Sequence, residues 1–505
     1  MSVETRSRPG EPGEQPTLLR VLLQRQGWDT WSRFELHFDQ AARRAARELG
    51  NPRLGTVTAS RVTFKRWLAG EQAPRGDTAT VLEHLLGVDV QALLAPAPTR
   101  EIVPARPPHP ASPAVARALD AGWSSSSLNP VASGPGLGGV WQLHGRTLFD
   151  GTFVPVQLYE AASQDDVVLI GPEDHPHLRA FVQPTRRALL LASLAGAGND
   201  ELFVLDAAHG RRHLAVDPVE TLPVPLAYRL DDLSYALLWA VLNVDDALGA
   251  DDHELAAEEA RLVHHLDHPR SAVARAAVPE LSNVGAAWLG SRFCGLHTAR
   301  RLGAQPLDEV QAWSRIRSGE EAAAWLLFRG EQERIDRAER PSGTAVALCL
   351  PEAQVKESER YERLLVLLAA ARMESAGVTV RVCTEQEYAQ MDEFLLLPGR
   401  RAVVANWLRA EGVWHADTVD SRPQLRVYAQ AVQHARAAGV VRGADPARRL
   451  RALAGYLDLD WAWLTGRCRE FAGYGLAGML RPRSRLVDLA GVDRALRHLG
   501  AMSGL

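Results

Sequence analysis

Three cations stand within six residues, Arg61, Lys65 and Arg66, in the stretch TVTASRVTFKRWLAG (56–70), together with Ser60, Val62 and Thr63. Read at helical spacing, Phe64, Trp67 and Leu68 (i, i+3, i+4) make one apolar stripe, with Val57 just upstream. Arg61, Val62, Lys65 and Arg66 fall on the other face. Ser60 occupies an N-cap position, where its hydroxyl can accept from the first free backbone N–H groups, and Gly70 closes the segment as a C-cap glycine does. A short helix that is apolar beneath and basic on top suits a major groove, where Arg and Lys reach guanine edges or phosphates. A solvated charged face is the commoner explanation of so short a run, so its neighbours decide its weight.

Other residue clusters invite chemistry and fall short of it. The pairs Asp231-Asp232, Asp245-Asp246 and Asp251-Asp252 have the carboxylates that Mg²⁺ or Ca²⁺ takes. Asp231 and Asp232, however, stand where helix-capping acids belong, and the later pairs read as flanking a helix end. His264 and His268 are i, i+4, with His265 between them and Cys294-x-x-His297 further on. No pair has finger-like spacing, and there is no His-Glu-x-x-His. The glycines of GPGLGG (134–139) lack the Gly-Lys-Ser/Thr ending of a phosphate loop and follow no strand. No nucleophile elbow, kinase loop or Walker sequence occurs. The sequence therefore names no catalytic residue, metal ligand or cofactor, and an enzyme is not the expected reading.

The elements around the basic stretch are short and helical. Leu18, Leu19, Leu22 and Leu23 repeat in a segment ending at Gly27. Trp31, Phe34, Phe38, Ala42, Ala45, Ala46 and Leu49 line a second helix that stops at Gly50-Asn51-Pro52. Asp77 opens a fourth segment with Val81, Leu82, Leu85 and Leu86, closed by Gly87, and Val88, Leu93 and Leu94 add a small fifth turn. Four or five short helices with a basic third one have the form of a helix-turn-helix domain.

The pattern Ser60-Arg61-x-Thr63-Phe64-x-Arg66-Trp67-x-x-Gly70, with Leu86-Gly87-Val88 downstream, resembles the repressor-type (Cro/repressor, or xenobiotic-response-element) helix-turn-helix. In particular it is similar to the version carried by large multidomain regulators of high-GC filamentous bacteria. The resemblance implies that the third helix reads DNA, through Arg61, Val62, Lys65 and Arg66, with Ser60 and Thr63 beside them. It also implies binding as a dimer on paired half-sites. The sequence departs from the family in a longer second helix, a turn lengthened by Arg53-Leu54-Gly55, and Leu68 where many members have an acid. LDDLSYALLWAVLNVDDAL (230–248) and GSRFCGLH (290–297) resemble segments of the same group of regulators.

Composition sets the frame. The 505 residues suggest about three domains. An apolar content of 46% with 23% charged residues is that of an ordinary globular protein. Of 57 basic residues only Lys65 and Lys356 are lysine, a bias that fits a GC-rich coding sequence. A net charge of -4 gives no global pull toward nucleic acid, but between Asn51 and Arg75 basic residues outnumber the single acid, Glu71. Four scattered cysteines fit a reducing compartment, and neither a signal peptide nor a membrane span is evident.

The expected fold is multidomain α+β. Residues 1–16 read as disordered, 17–95 as the helix-turn-helix domain, and 96–139 as a Pro/Gly/Ser linker. Residues 140–335 read as a β-rich then helical regulatory or oligomerisation region. Its six expected strands are VWQLHG, TLFDGTFVPVQLYE, DVVLIG, ALLLASL, ELFVLDA and HLAVD, which serve as a scaffold or line a ligand pocket. Residues 344–440 read as a small α/β unit, with a strand at 344–350, one helix from Val355 to Gly377, further strands, and a helix from Arg426 to Ala438. This unit resembles the degenerate phospholipase-D-like sensor domains of related regulators, but it lacks the His-x-Lys of that chemistry. Residues 441–505 read as an arginine-rich helical tail, in solvent or in a second nucleic-acid or dimer contact.

The expectation is therefore a cytoplasmic, nucleoid-associated transcriptional regulator that binds double-stranded DNA as a homodimer and senses a small molecule or a partner regulator. A protein–protein adaptor that has lost DNA binding, and a metal-dependent enzyme built on the Asp or His clusters, are the alternatives.

Overall fold

The computed structural model describes residues 17–25, 28, 31–86, 90–94, 137–171, 178, 187–194, 201–216, 221–267, 270–278, 280–302, 310–314, 316–329, 344–410 and 412–503. The described residues fall into two compact units, one between 17 and 94 and one between 137 and 503. The expected disorder of residues 1–16 and most of the expected linker lie outside the described residues.

In the first unit the helices are α1 (Leu18–Arg25), α2 (Trp31–Glu48), α3 (Arg61–Leu68), α4 (Asp77–Leu86) and α5 (Val90–Leu94). Phe34, Phe38, Ala42 and Ala45 recur every three or four residues and are buried. Gly50, at φ +64°, takes the chain out of α2 through a left-handed backbone that a side chain would disfavour. The Asn51 side chain then accepts the Arg53 N–H and opens a 3₁₀ turn, Pro52–Thr56. Leu49, expected to line α2, lies past its last residue and is 55% exposed.

The second unit holds two mixed sheets. β1 (Leu137–Leu143), β2 (Thr152–Gln164), β3 (Val167–Ile170), β4 (Leu189–Leu194), β5 (Glu201–Asp206) and β6 (Leu222–Pro225) form six strands in the order β5-β4-β2-β3-β6, with β1 also on β2. β2 and β4 run parallel, with Val156 opposite Leu189. The expected number of strands is present, but one identity changes: HLAV of the expected HLAVD lies in a helix, Ala207–Val216, and its Asp217 lies outside the described residues. Ala207, Gly210 and Leu214 are its buried positions, a helical rather than alternating period. Gly210 packs so closely that a Cβ there would sit 2.8 Å from Leu190 Cδ1. The sixth strand is LPVP instead. β1 also starts inside the expected linker, and Gly138 and Gly139 of GPGLGG pair in the ladder with Gln157 and Val156 rather than forming a loop.

The second sheet comprises β7 (Arg270–Ala274), β8 (Gln311–Ser314), β9 (Ala345–Cys349), β10 (Thr379–Cys383), β11 (Glu393–Leu397), β12 (Arg401–Ala405) and β13 (Val413–Val419). Its order is β10-β9-β8-β11-β12-β13-β7, parallel across β8, β9 and β10 and antiparallel elsewhere. The boundary expected between 335 and 344 therefore cuts through one sheet, because β7 and β8 come from before it. The expected single helix Val355–Gly377 breaks at Ser358, and Glu359 restarts it with a capping box to Glu362.

A 31-residue helix, Asp232–Leu262, runs unbroken through the region where the acidic pairs were expected to flank a helix end. Leu233, Ala236, Leu237, Ala240 and Val241 are all buried in it. Asp231 caps it as expected, accepting the Leu233 and Ser234 N–H groups at 3.1 Å each. The other acids bind protein groups. Asp245 pairs with Arg187 and accepts the N–H of Arg483 and of Ser484 (2.8 Å). Asp246 accepts from Thr152 Oγ1 at 2.7 Å, and Asp251 from Ser282 Oγ at 2.6 Å. His264 and His265 lie in a 3₁₀ turn, Val263–Asp267, rather than on an α-helical face, and His268 lies outside the described residues. Cys294 and His297 are buried in the helix Asn283–Leu302, where the Cys294 thiol donates to the His415 carbonyl at 3.6 Å. Among the described residues no group of three or more His, Cys, Asp or Glu is placed to hold a metal ion.

The C-terminal helices Pro446–Tyr456, Trp461–Tyr474 and Ala490–Gly500 belong to this same unit and do not form a separate tail. Arg449 forks onto Glu374 at 2.7 and 2.6 Å, and Arg467 Nε donates to Asp231 at 2.5 Å. A further buried carboxylate ties the layers: Glu320, 1% exposed, accepts the N–H groups of Arg146, Thr147, Leu148 and Phe149 at 2.6, 2.9, 2.7 and 3.3 Å. Thr147 Oγ1 adds a fifth bond at 2.7 Å. Gly145 permits that wrapping, because a Cβ there would overlap the Phe149 backbone.

Candidate nucleic-acid interface

The helix that the cations need is present and capped at both ends. Ser60 Oγ accepts the Thr63 N–H at 3.1 Å, and the Ser60 and Thr63 hydroxyls lie 2.8 Å apart. At the other end Gly70 takes φ +72°, its N–H donates to Trp67 O at 3.0 Å, and the Glu71 N–H donates to Arg66 O at 2.9 Å. This pair of reversed bonds is the Schellman stop, which satisfies carbonyls that the helix leaves free. Both ends follow from single residues, so α3 is held to eight residues by its own sequence.

Its inner face is fixed by aromatic packing. Phe64 and Trp67 are each 2% exposed. Phe64 stacks on Phe34 of α2, with centroids 4.2 Å apart and planes at 22°, and lies 5.7 Å from Trp31. Trp67 meets Phe34 edge-on and tilts against Phe38, both at 6.3 Å. Such pairs add roughly 0.5–1.5 kcal/mol each beyond the area they bury, so α3 cannot easily roll on α2. Thr17 Oγ1 donates to Leu68 O at 3.2 Å and ties the end of α3 to the start of α1.

With Phe64 and Trp67 locked inward, the outer face is set. Arg61, Lys65 and Arg66 are exposed, Thr63 is half-buried, and Val62 is 60% exposed. Ser60 is exposed at the leading end. Among the described residues none of the three cations has a carboxylate partner. All six expected site residues are thus brought together on one helix and its cap. Leu68, half-buried, packs against the core rather than joining them.

Two exposed cations close to α3 in sequence were not among the expected site residues. Arg53 sits in the 3₁₀ turn between α2 and α3, and Arg75 precedes α4. The local excess of basic residues from 51 to 75 is the sequence signal that includes them.

Chemically this surface offers delocalised and point cations, two hydroxyls and one apolar contact on a rigid rod. Guanidinium forks match guanine edges and phosphates, hydroxyls bond phosphates or bases, and a valine methyl can meet a thymine methyl. It carries no nucleophile–base pair and no metal ligand set. In the described residues no helix is long and apolar enough to cross a membrane. Compared with known proteins, the chain matches no family model, no curated protein and no solved structure.

Proposed function

We propose that the chain is a sequence-specific DNA-binding transcriptional regulator of the helix-turn-helix kind, reading the major groove with α3. The observation that carries this is the contrast between the two faces of α3: Phe64 and Trp67 immobilised in the core, and Arg61, Lys65 and Arg66 exposed without a carboxylate partner. Cations that stabilise a fold are normally paired within it, as Arg449 and Arg467 are in the second unit. In this reading Arg61, Lys65 and Arg66 supply base and phosphate contacts, Val62 an apolar contact, and Ser60 and Thr63 phosphate or base hydrogen bonds. The protein acts as a homodimer on paired half-sites, and the second unit assembles the dimer or senses a signal.

The test is selection of genomic DNA fragments by purified full-length protein, beside an Arg61→Ala/Lys65→Ala variant. A recurrent motif recovered by the wild type and lost by the variant is the expected result. A motif recovered equally by both removes α3 as the reader. An adaptor reading has one observation of its own, the exposed Leu49 and Val62. It requires a stoichiometric protein partner and no retained DNA at physiological salt.

A further inference from the structure

Sequence spacing gave the four cysteines no pairing, but the second sheet does. Cys349 and Cys383 are the last residues of β9 and β10 and stand directly opposite one another in the parallel ladder. Opposed residues on neighbouring strands point to the same face, and both thiols enter the core that also holds Trp313 and Ala431. Strand neighbours stand about 4.8 Å apart, inside the roughly 4.4–6.8 Å between Cα atoms that a disulfide spans. The two side chains are within hydrogen-bonding reach of each other, and Cys349 Sγ lies 3.8 Å from Glu385 O. The pair is buried but shallow. It sits at the carboxyl ends of its strands, β10 is an edge of the sheet, and the chain is half-buried at Thr384 and exposed from Glu385 to Glu387.

We propose that Cys349 and Cys383 form an oxidative modification site that closes to a disulfide on reaction with a small hydroperoxide. This is independent of the DNA-binding reading. Cys383 is the attacking group. A hydrogen bond with the Cys349 side chain, and a second from the Glu385 backbone N–H, lower its thiol from the ordinary cysteine range despite the opposing effect of burial. The thiolate sulfur attacks one peroxide oxygen, the O–O bond breaks, and the departing oxygen leaves as alcohol or water with the proton Cys383 released. Cys349 sulfur then attacks the Cys383 sulfenic acid, the S–S bond forms, and hydroxide leaves as water with the Cys349 proton. The two thiols lose two electrons and the peroxide gains them. A dithiol reductant reverses the step by exchange. Cys468 cannot substitute, because complete burial pushes its thiol far up and keeps it protonated.

The experiment treats full-length protein with hydrogen peroxide and follows free thiols and non-reduced peptides by mass spectrometry. The expected result is a fall from four free thiols to two, with one cross-linked peptide pair joining Cys349 to Cys383, two hydrogens lighter than the sum of its reduced peptides. Dithiothreitol restores all four. In Cys349→Ser, Cys383 accumulates as a sulfenic acid that a 1,3-dione traps, whereas Cys383→Ser leaves Cys349 untrapped. The proposal is overturned if the wild type keeps all four thiols, if oxidation goes on to the sulfinic acid without the cross-link, or if the link includes Cys294 or Cys468. The wild-type readout decides even if the variants fail to fold.

Discussion

Replacing both Arg61 and Lys65 by alanine separates folding from binding, because the structure gives these side chains no internal role. Both are exposed on α3 without a carboxylate partner among the described residues, while Phe64 and Trp67 anchor the helix. The melting behaviour should therefore stay within the roughly 0.5 kcal/mol that surface changes produce. The effect on DNA depends on what each cation touches. A guanidinium forked onto a guanine costs about 1–3 kcal/mol when removed, roughly 5–150-fold in Kd, at any salt concentration. A cation on a phosphate contributes about 0.9 to the slope of log affinity against log salt. Two phosphate contacts thus shallow the slope by about 1.8, so the penalty shrinks roughly tenfold between 50 and 200 mM salt. Fluorescence anisotropy on a selected fragment at four salt concentrations, with parallel thermal melts, distinguishes the cases. Unchanged affinity and slope would refute α3 as the reader. A loss of binding accompanied by a lowered melting point would show that these side chains support the fold.

Two further outcomes follow from the buried acids. Glu320→Ala strands four backbone N–H groups and a threonine hydroxyl, and should destabilise the second unit by about 3–5 kcal/mol, as removal of one partner from a buried charged network does. Glu320→Gln keeps an acceptor oxygen and should cost less; equal denaturation midpoints for both variants and wild type would show that the 146–149 loop is held by other means. For Glu362, burial is the main cause raising its carboxyl above the ordinary range, only partly offset by the Glu359 N–H and by Arg146. A folded acid with a raised pKa binds its proton more tightly than the unfolded chain does. Stability from this group is therefore greatest below the ordinary glutamate value and falls as pH rises toward the raised one. Wild type minus Glu362→Gln, from melts across pH 4 to 8, should decline with rising pH; a difference that is flat or rises would contradict the burial argument.

What could be read from the sequence was local. Ser60, Gly50 and Gly70 each set a backbone conformation within a turn of themselves, and the 3.6 period of Phe64 and Trp67 needs no distant partner. The faces of α3 followed directly. In the second sheet the strand at 344–350 and those that follow it were legible, but β7 and β8 had no such signal. β7 and β8 are five and four residues long, and their ladders join residues far apart in sequence, Arg270 with Asp417 and Trp313 with Phe394. Alternation over four residues looks the same in a loop. The segment before Val216 went wrong for a related reason: three apolar residues in HLAVD suit either period, and only the packing of Gly210 on Leu190 selects the helix. The approach of Cys349 to Cys383 was likewise invisible, since it depends on the β9–β10 register.

Arginine content alone does not single out a surface that is free to bind an anion. The C-terminal segment has more arginines than the first unit's basic stretch, yet most are engaged. Arg449 holds Glu374, Arg467 holds Asp231 and Glu470, Arg483 reaches Asp246, and Arg485 reaches Asp252. Arg469 and Arg497 donate to backbone carbonyls of Gly500 and Asp493. Each neutralised guanidinium has little field left for a phosphate, and those of Arg449 and Arg467 are buried as well. The same network accounts for the acidic pairs of the long helix: Asp231, Asp245, Asp246 and Asp252 all bind arginines or their backbone, which leaves little reason to assign them a metal. What distinguishes α3 is therefore that its cations have no carboxylate partner among the described residues, and not their number. That is why substitutions on α3 should alter DNA binding and leave the fold, whereas substitutions of Arg449 or Arg467 should do the reverse.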